Sequence, residues 1–118
     1  MRASRGEIKI EEILAKNGLN FKMEYIFPDL KSPSGRPLRF DFVIFDDDGK
    51  IDFIIEFQGK QHYQASNKFG GKRALYQQQY NDTQKRRFCA LHEFNLIEIP
   101  YTEENLITYD YIMKRAGY

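Results

Sequence analysis

Two acidic residues lie inside apolar runs of the segment 38–63, LRFDFVIFDDDGKIDFIIEFQGKQHY: Asp41 in the first run and Glu56 in the second. An ionised carboxylate in a sheet core costs free energy unless it is paired or bound to a cation, and two on neighbouring strands repel each other. A divalent cation removes both costs, and Mg²⁺ favours one or two carboxylates completed by water and phosphate oxygens. The two acids therefore predict a magnesium site, which Mn²⁺ could also occupy. The alternative is that each acid faces water at a sheet edge.

A β-hairpin would place these two acids on neighbouring strands. Asp46–Lys50, with an Asp-Gly pair between the two apolar runs, is a strong turn signal. Because side chains alternate along a strand, Phe40, Phe42 and Ile44 are expected on the face opposite Asp41, Val43 and Phe45. On the second strand the alternation separates Phe53, Ile55 and Phe57 from Ile54, Glu56 and Gln58, and Lys60 and His62 continue on the Glu56 side.

The composition indicates one intracellular domain. A chain of 118 residues is long enough to bury a core as a single domain, 1–118. Cys89 is its one cysteine, which excludes an internal disulfide and a cysteine-rich zinc site and favours a reducing, cytoplasmic setting. No apolar run approaches 18 residues, so no membrane association is expected.

Positive charge is concentrated in one part of the chain. The net charge is only +1, but residues 59–89 contain seven cations and one acid, Asp82. A basic segment that follows an acidic metal site suits a phosphodiester substrate, because cations can hold the backbone. The alternative is a solvated helix face. The residues expected to bind DNA are Lys60, Lys68, Lys72, Arg73, Lys85 and Arg86.

The order of predicted elements is αβββαβα, an α/β (α+β) fold with a mixed four-stranded sheet flanked by helices. The elements are a helix 5–17 capped by Ser4, a strand 19–27 ended by Pro28, the hairpin, a polar loop 64–71, a helix from Lys72 to about Phe94, a strand 96–101 and a last helix capped by residues 102–104.

Two acids outside the hairpin allow different interpretations. Glu7 stands three residues after Ser4, which is the capping-box spacing, and it could also be a third acid near the metal. Glu24 alternates with apolar residues in the first strand and is expected to face water.

This element order, with an Asp in the second strand and Glu-x-Gln in the third, resembles the PD-(D/E)xK, or restriction-endonuclease-like, nuclease superfamily. The resemblance covers roughly residues 5–100. The segment IIEFQGKQHY, the Asp in NDTQKRRFC and the strand LIEIPY are similar to the branch that contains very-short-patch repair endonucleases and the EDxHD phage homing endonucleases.

The resemblance implies a metal centre and its ligands. Asp41 matches the Asp of the motif and Glu56 its (D/E), with the carbonyl of Phe57 as a third ligand. Glu7 matches the acid of the first helix. These residues would be catalytic.

The resemblance also implies a proton-transfer pair, in which Asp82 orients His62 and His62 relays a proton from the attacking water. Gln58 departs from the motif, which has a lysine there, and Gln neither acts as a base nor carries charge. The role of that lysine would pass to His62, Lys60 or Lys85, or be lost.

The expected function is that of a magnesium-dependent DNA endonuclease, of the homing or mismatch-nicking type. A Holliday-junction resolvase, which would normally act as a homodimer, is one alternative, and a non-catalytic DNA-binding module that keeps the fold is another. A domain of this size leaves little room for reading sequence, so a DNA-reading partner chain is a further expectation.

Overall fold

The structure is a computed structural model that describes residues 4–60, 63 and 71–118. His62, Lys68 and most of the predicted loop lie outside these residues. The elements are α1 (Arg5–Lys16), β1 (Asn20–Lys31), β2 (Pro37–Phe45), β3 (Ile51–Gln58), α2 (Gly71–Leu91), β4 (Leu96–Pro100), a 3₁₀ helix (Tyr101–Leu106) and α3 (Tyr109–Arg115).

Within the described residues the sheet has four strands in the order β1-β2-β3-β4. The first three form an antiparallel meander, and β4 pairs parallel to β3. A parallel neighbour needs a crossover connection, which α2 supplies. The predicted mixed α/β sheet and its element order are confirmed.

The hairpin and the first helix form at the residues predicted from the turn signal at 46–50 and the cap at Ser4. The amide of Asp46 donates to the carbonyl of Lys50 at 2.8 Å, and Gly49 takes a φ of 80°, which an L side chain rarely adopts. In α1 the hydroxyl of Ser4 accepts the amide of Glu7, as an N-cap should.

Two apolar clusters cover the two faces of the sheet. The first holds Ile10 and Leu14 of α1, Ile112 of α3 and the inward side chains of the strands; the second lies under α2 and holds Phe88 and Cys89. The alternation predicted for β3 is confirmed, because Phe53, Ile55 and Phe57 belong to the first cluster and Ile54 to the second. No helix in the described part of the chain is long and apolar enough to cross a lipid bilayer.

The alternation predicted for β2 is wrong at one position. Phe42 and Ile44 pack in the first cluster, but Phe40 packs in the second with Val43. The same change of face occurs in β1, where Phe21 and Met23 contact the first cluster and Tyr25 and Phe27 the second.

The cause lies between these residues, at the pair Glu24 and Asp41. The register on both sides, Met23 with Phe42 and Tyr25 with Phe40, places Glu24 opposite Asp41. Glu24 has a φ of 52°, the left-handed region, which breaks the regular pleat of β1 and reverses its alternation; in β2 the change of face falls where the ladder with β3 ends.

Two boundaries also differ from prediction. Pro28 does not end β1, which continues to Lys31, because β1 is an edge strand and Pro28 lies between Ile26 and Lys31, where its register with β2 is irregular. The last α-helix is capped by Thr108, not by residues 102–104, which form the 3₁₀ helix; the hydroxyl of Thr108 accepts the amide of Tyr111.

Candidate metal centre and its surroundings

Asp41 and Glu56 lie side by side, where the backbone pairing of β2 with β3 stops. The ladder runs from Phe45 only as far as the pair Phe42 and Ile55. Beyond it the amide of Asp41 donates to Glu56 Oε2 at 2.7 Å, and the amide of Phe57 donates to Asp41 Oδ2 at 2.8 Å. Carboxylates therefore replace the ladder bonds, which fixes both side chains at the fork between the strands.

Three carboxylates from three elements converge at this fork. One ligand oxygen each from Glu7 of α1, Glu24 of β1 and Asp41 of β2 lie within 4.8 Å of one another. Glu7 contacts the cap residue, since its Oε1 accepts the hydroxyl of Ser4 at 3.1 Å, and the same carboxylate stands beside Asp41; its role as a third acid near a metal stays a prediction. Glu24 is exposed, as predicted, and its carboxylate also belongs to this group.

Gly6 allows α1 to come this close. A Cβ at Gly6 would lie 2.2 Å from the ring of Phe57, far inside van der Waals contact. Because the position has no side chain, the first turn of α1 rests directly on the ring, and Glu7 reaches the fork.

The electrostatics of Asp41 suit a cation ligand. Burial raises the pKa of Asp41 to about 9, and the negative charges of Glu56 and Glu7 act in the same direction. Three converging carboxylates supply the hard oxygen donors that Mg²⁺ and Mn²⁺ prefer, and a divalent cation would offset both the burial and the repulsion. The residues therefore fit a magnesium or manganese ion.

Glu56 has a different role in this geometry. Its Oε2 accepts the amide of Asp41, and its Oε1 accepts Lys85 Nζ at 2.6 Å. Both side chains are buried, with exposed fractions of 7% for Glu56 and 12% for Lys85. Burial raises the pKa of Glu56, and the charge of Lys85 opposes that effect. Glu56 thus connects Asp41 to the lysine and lies outside the three-carboxylate group.

Lys85 belongs to α2, and its ammonium group lies beside the carboxylate of Glu56. Burial alone would lower the pKa of Lys85, but Glu56, Asp41 and Asp82 together raise it above its ordinary value. The ammonium therefore stays charged, 5.5 Å from the centroid of the Phe40 ring. Lys85 was expected either to contact DNA or to replace the missing lysine, and its burial favours the second role.

The side chain of Gln58 forms its hydrogen bonds with Glu98 and Tyr63 and not with Asp41 or Glu56. Its Nε2 donates to Glu98 Oε1 at 2.5 Å, and its Oε1 accepts the hydroxyl of Tyr63 at 2.6 Å. Arg86 Nε contacts both oxygens of Glu98 at 3.0 and 2.8 Å. The amide of Gln58 is therefore committed to a polar network at the end of β3 and β4.

Asp82 lies beside this network and close enough to Glu56 to act on its charge. It is 5% exposed, and its Oδ1 accepts Gln78 Nε2 at 3.3 Å. It borders a cavity of about 240 Å³ that Gln58, Tyr63 and Arg86 also line. The pairing with His62 stays a prediction, because His62 lies outside the described residues.

The predicted DNA-contacting residues occupy different environments. Lys60, two residues after β3, and Lys72 and Arg73, in the first turn of α2, are exposed. Arg86 is half exposed and bound to Glu98. Lys68 lies outside the described residues.

Three contributors were missed by sequence reasoning: Glu24, Gly6 and Glu98. Glu98 carried a usable signal, since it is an acid within an apolar strand, as are Asp41 and Glu56. Glu24 and Gly6 carried none, because their roles depend on strand register and helix docking.

Comparison with known proteins gives relatives in viruses. The chain is 40% identical over 96 residues to uncharacterized protein 307L of Invertebrate iridescent virus 6, covering 77% of this chain and 49% of the relative. It is 47% identical over 49 residues to uncharacterized protein 033L of Invertebrate iridescent virus 3, covering 41% of this chain and 25% of that protein. Uncharacterized protein 094L of Frog virus 3 is 40% identical over 57 residues, covering 47% of this chain and 37% of that protein.

The chain spans about half the length of the first of these relatives and less of the others. No family model matches the chain, and no solved structure matches it significantly.

Proposed function

We propose that this chain is a magnesium-dependent DNA endonuclease domain of the PD-(D/E)xK type. The observation that carries the proposal is the convergence of Asp41, Glu7 and Glu24 at the fork between β2 and β3, with Lys85 held beside them by Glu56. Acids that bind a divalent cation and a buried ammonium next to them are the groups that phosphodiester hydrolysis requires.

The cation would be held by Asp41, Glu7 and Glu24. When bound, it supplies Lewis-acid polarisation of the scissile phosphate and lowers the pKa of a water. Glu56 positions Lys85 and fixes the backbone of Asp41. The Lys85 ammonium is then placed to stabilise negative charge that develops on the phosphate.

Lys85 also accounts for the departure at Gln58. The motif lysine would come from β3, whereas here a lysine from α2 stands beside the second acid. The glutamine is free to join Glu98 and Tyr63. This arrangement favours an active enzyme over a module that has lost its chemistry.

Proton transfer is assigned to His62 and Asp82, and backbone binding to the exposed cations Lys60, Lys72 and Arg73. The substrate class remains that of a homing or mismatch-nicking enzyme.

The test is cleavage of supercoiled plasmid, mismatched duplex and a four-way junction by the purified protein in Mg²⁺ and in Mn²⁺. We expect nicking that a chelator abolishes and that Asp41→Ala reduces by at least about 100-fold. Asp47→Ala is the matched control, because Asp47 is an exposed acid in the hairpin turn.

Full activity of Asp41→Ala would contradict the proposal. Preferred cleavage of the junction, together with a dimer in sedimentation, would point to a resolvase. DNA binding without cleavage of any substrate would point to the non-catalytic module.

A further inference from the structure

The outward face of α2 carries two exposed aromatic side chains. Tyr76 is 66% exposed and Tyr80 is 50% exposed. In the described part of the chain neither ring contacts another ring. A tyrosine left in water exposes a large apolar surface together with a polar tip, and such residues are common where proteins bind other molecules.

These rings belong to one stripe. At about 100° per residue, Arg73, Tyr76, Tyr80, Arg87 and Leu91 fall within a sector of about 60° around the helix. All five are exposed, while the buried Asp82 and Cys89 lie on the opposite side of the helix. We call these five residues the outer stripe.

The outer stripe is entirely basic in its charge. The one acid of α2, Asp82, is buried on the other side of the helix. Lys72 adds a further exposed cation beside Arg73, and among the described residues no carboxylate forms an ion pair with Lys72, Arg73 or Arg87. The stripe therefore presents aromatic rings flanked by positive charge.

A second copy of the chain fits this charge poorly. In a two-fold interface the same patch faces itself, so Arg73 and Arg87 of one copy would face arginines of the other. A single strand of nucleic acid fits well, because it offers phosphates to the arginines and unpaired bases that stack on the rings.

We infer that the outer stripe of α2 binds single-stranded DNA, with bases stacked on Tyr76 and Tyr80 and phosphates held by Arg73 and Arg87. As a statement about substrate it rests on the proposed function: the endonuclease would act on DNA that contains unpaired nucleotides. Tyr80 and Asp82 are about 200° apart around the helix, so a strand bound on the stripe lies on the face of α2 opposite Asp82.

Binding is measured by fluorescence anisotropy with a labelled dT20 strand and a duplex of equal length, in EDTA so that no cleavage occurs. We expect tighter binding of the single strand. Tyr76→Ala combined with Tyr80→Ala should weaken that binding by at least about 5-fold. The Phe double variant should bind like the wild type, since it keeps the rings.

The salt dependence of binding to single-stranded DNA separates the contribution of the arginines from that of the tyrosine rings. Arg73→Gln should lower the slope of log affinity against log salt by about 0.7, as expected for one lost phosphate contact. Tyr109→Ala is the matched control, because Tyr109 is an exposed tyrosine on α3, and it should change nothing.

Equal affinity for the single strand and the duplex, with no effect of the Ala double variant, would overturn the inference. So would a monomer–dimer equilibrium abolished by that variant, which would assign the stripe to a second copy. Repeating the assay with Asp41→Asn separates the two proposals, because loss of nuclease activity leaves tyrosine-dependent binding unchanged.

Discussion

Lys85 Nζ lies 2.6 Å from Glu56 Oε1, so a helix residue completes the charge balance of an acid in the middle of the sheet. The contact joins α2 to β3 and brings a cation into the fork that holds Asp41.

Removing this cation should damage stability and activity together. Lys85→Met leaves Glu56 buried without its partner, and we expect a loss of about 3 kcal/mol in the free energy of unfolding, measured by urea denaturation. Nicking should fall by at least about 100-fold.

Adding Glu56→Gln to Lys85→Met should restore part of the stability and none of the activity. The control is Lys72→Met, at an exposed site, which should alter the free energy of unfolding by less than about 0.5 kcal/mol. Wild-type nicking by Lys85→Met would remove Lys85 from the mechanism.

The metal-free protein should lose stability as pH rises. Burial raises the pKa of Asp41 to about 9, above the unfolded value near 3.8. The protonated form is thus favoured by the fold, and its contribution is complete below the unfolded pKa and lost as pH rises through the folded pKa. Asp41→Asn mimics the protonated group, so its melting temperature should exceed that of the wild type by a margin that grows from pH 5 to pH 9 in EDTA.

Mg²⁺ should reverse this difference in melting temperature, because the cation stabilises the ionised Asp41 of the wild type and not the amide of Asp41→Asn. A margin independent of both pH and Mg²⁺ would show that Asp41 does not titrate in this range.

Two substitutions separate the carboxylate of Glu24 from its backbone. Glu24→Gly removes the acid but suits a φ of 52°, so stability should stay within about 1 kcal/mol of the wild type. Glu24→Gln keeps the strain and removes the charge. Both should reduce the rise in melting temperature that Mg²⁺ produces, whereas Asp47→Ala should not. An unchanged Mg²⁺ effect in both variants would exclude Glu24 as a ligand.

Gly6→Ala should push α1 away from the sheet. The added Cβ would meet the Phe57 ring at 2.2 Å, and we expect about 1–3 kcal/mol of destabilisation from overpacking. Nicking should fall as well, since Glu7 moves with the helix. Phe57→Leu in the Gly6→Ala background should recover part of both losses. The control is Ala15→Ser, at an exposed position of the same helix.

Cys89 should be inert in the native state. It is 2% exposed, and burial raises the pKa of its thiol to about 12. At pH 8 a thiol reagent should label it only as fast as the protein unfolds, and rapidly in urea. Fast labelling of the native protein would mean that the second cluster opens readily.

The sequence was most informative where the signal was local. The hairpin at Asp46–Lys50, the cap at Ser4 and the alternation of β3 follow from turn chemistry and a period of two, and the pairing of Asp41 with Glu56 follows from the hairpin. The positions of side chains that depend on contacts between distant elements could not be predicted from the sequence.

Glu24 illustrates the limit. Its place opposite Asp41 depends on the length and path of the connection between β1 and β2, and its left-handed backbone has no signature in a run such as KMEYIF. Predicting the position of Lys85 requires the rotation of α2 about its axis, and the weak apolar face of this helix does not define that rotation. The change of face at Phe40 in β2 lies beside this break in the register of the two strands.

That break has a consequence for the free border of the sheet. β1 is an outer strand of twelve residues, and a long regular border is a template on which another polypeptide can add by backbone pairing, the first step of fibrillar aggregation. The left-handed Glu24 and the missing amide hydrogen of Pro28 divide the border into short pieces that a straight strand cannot follow. The kink that brings a carboxylate to the fork thus also limits intermolecular strand addition.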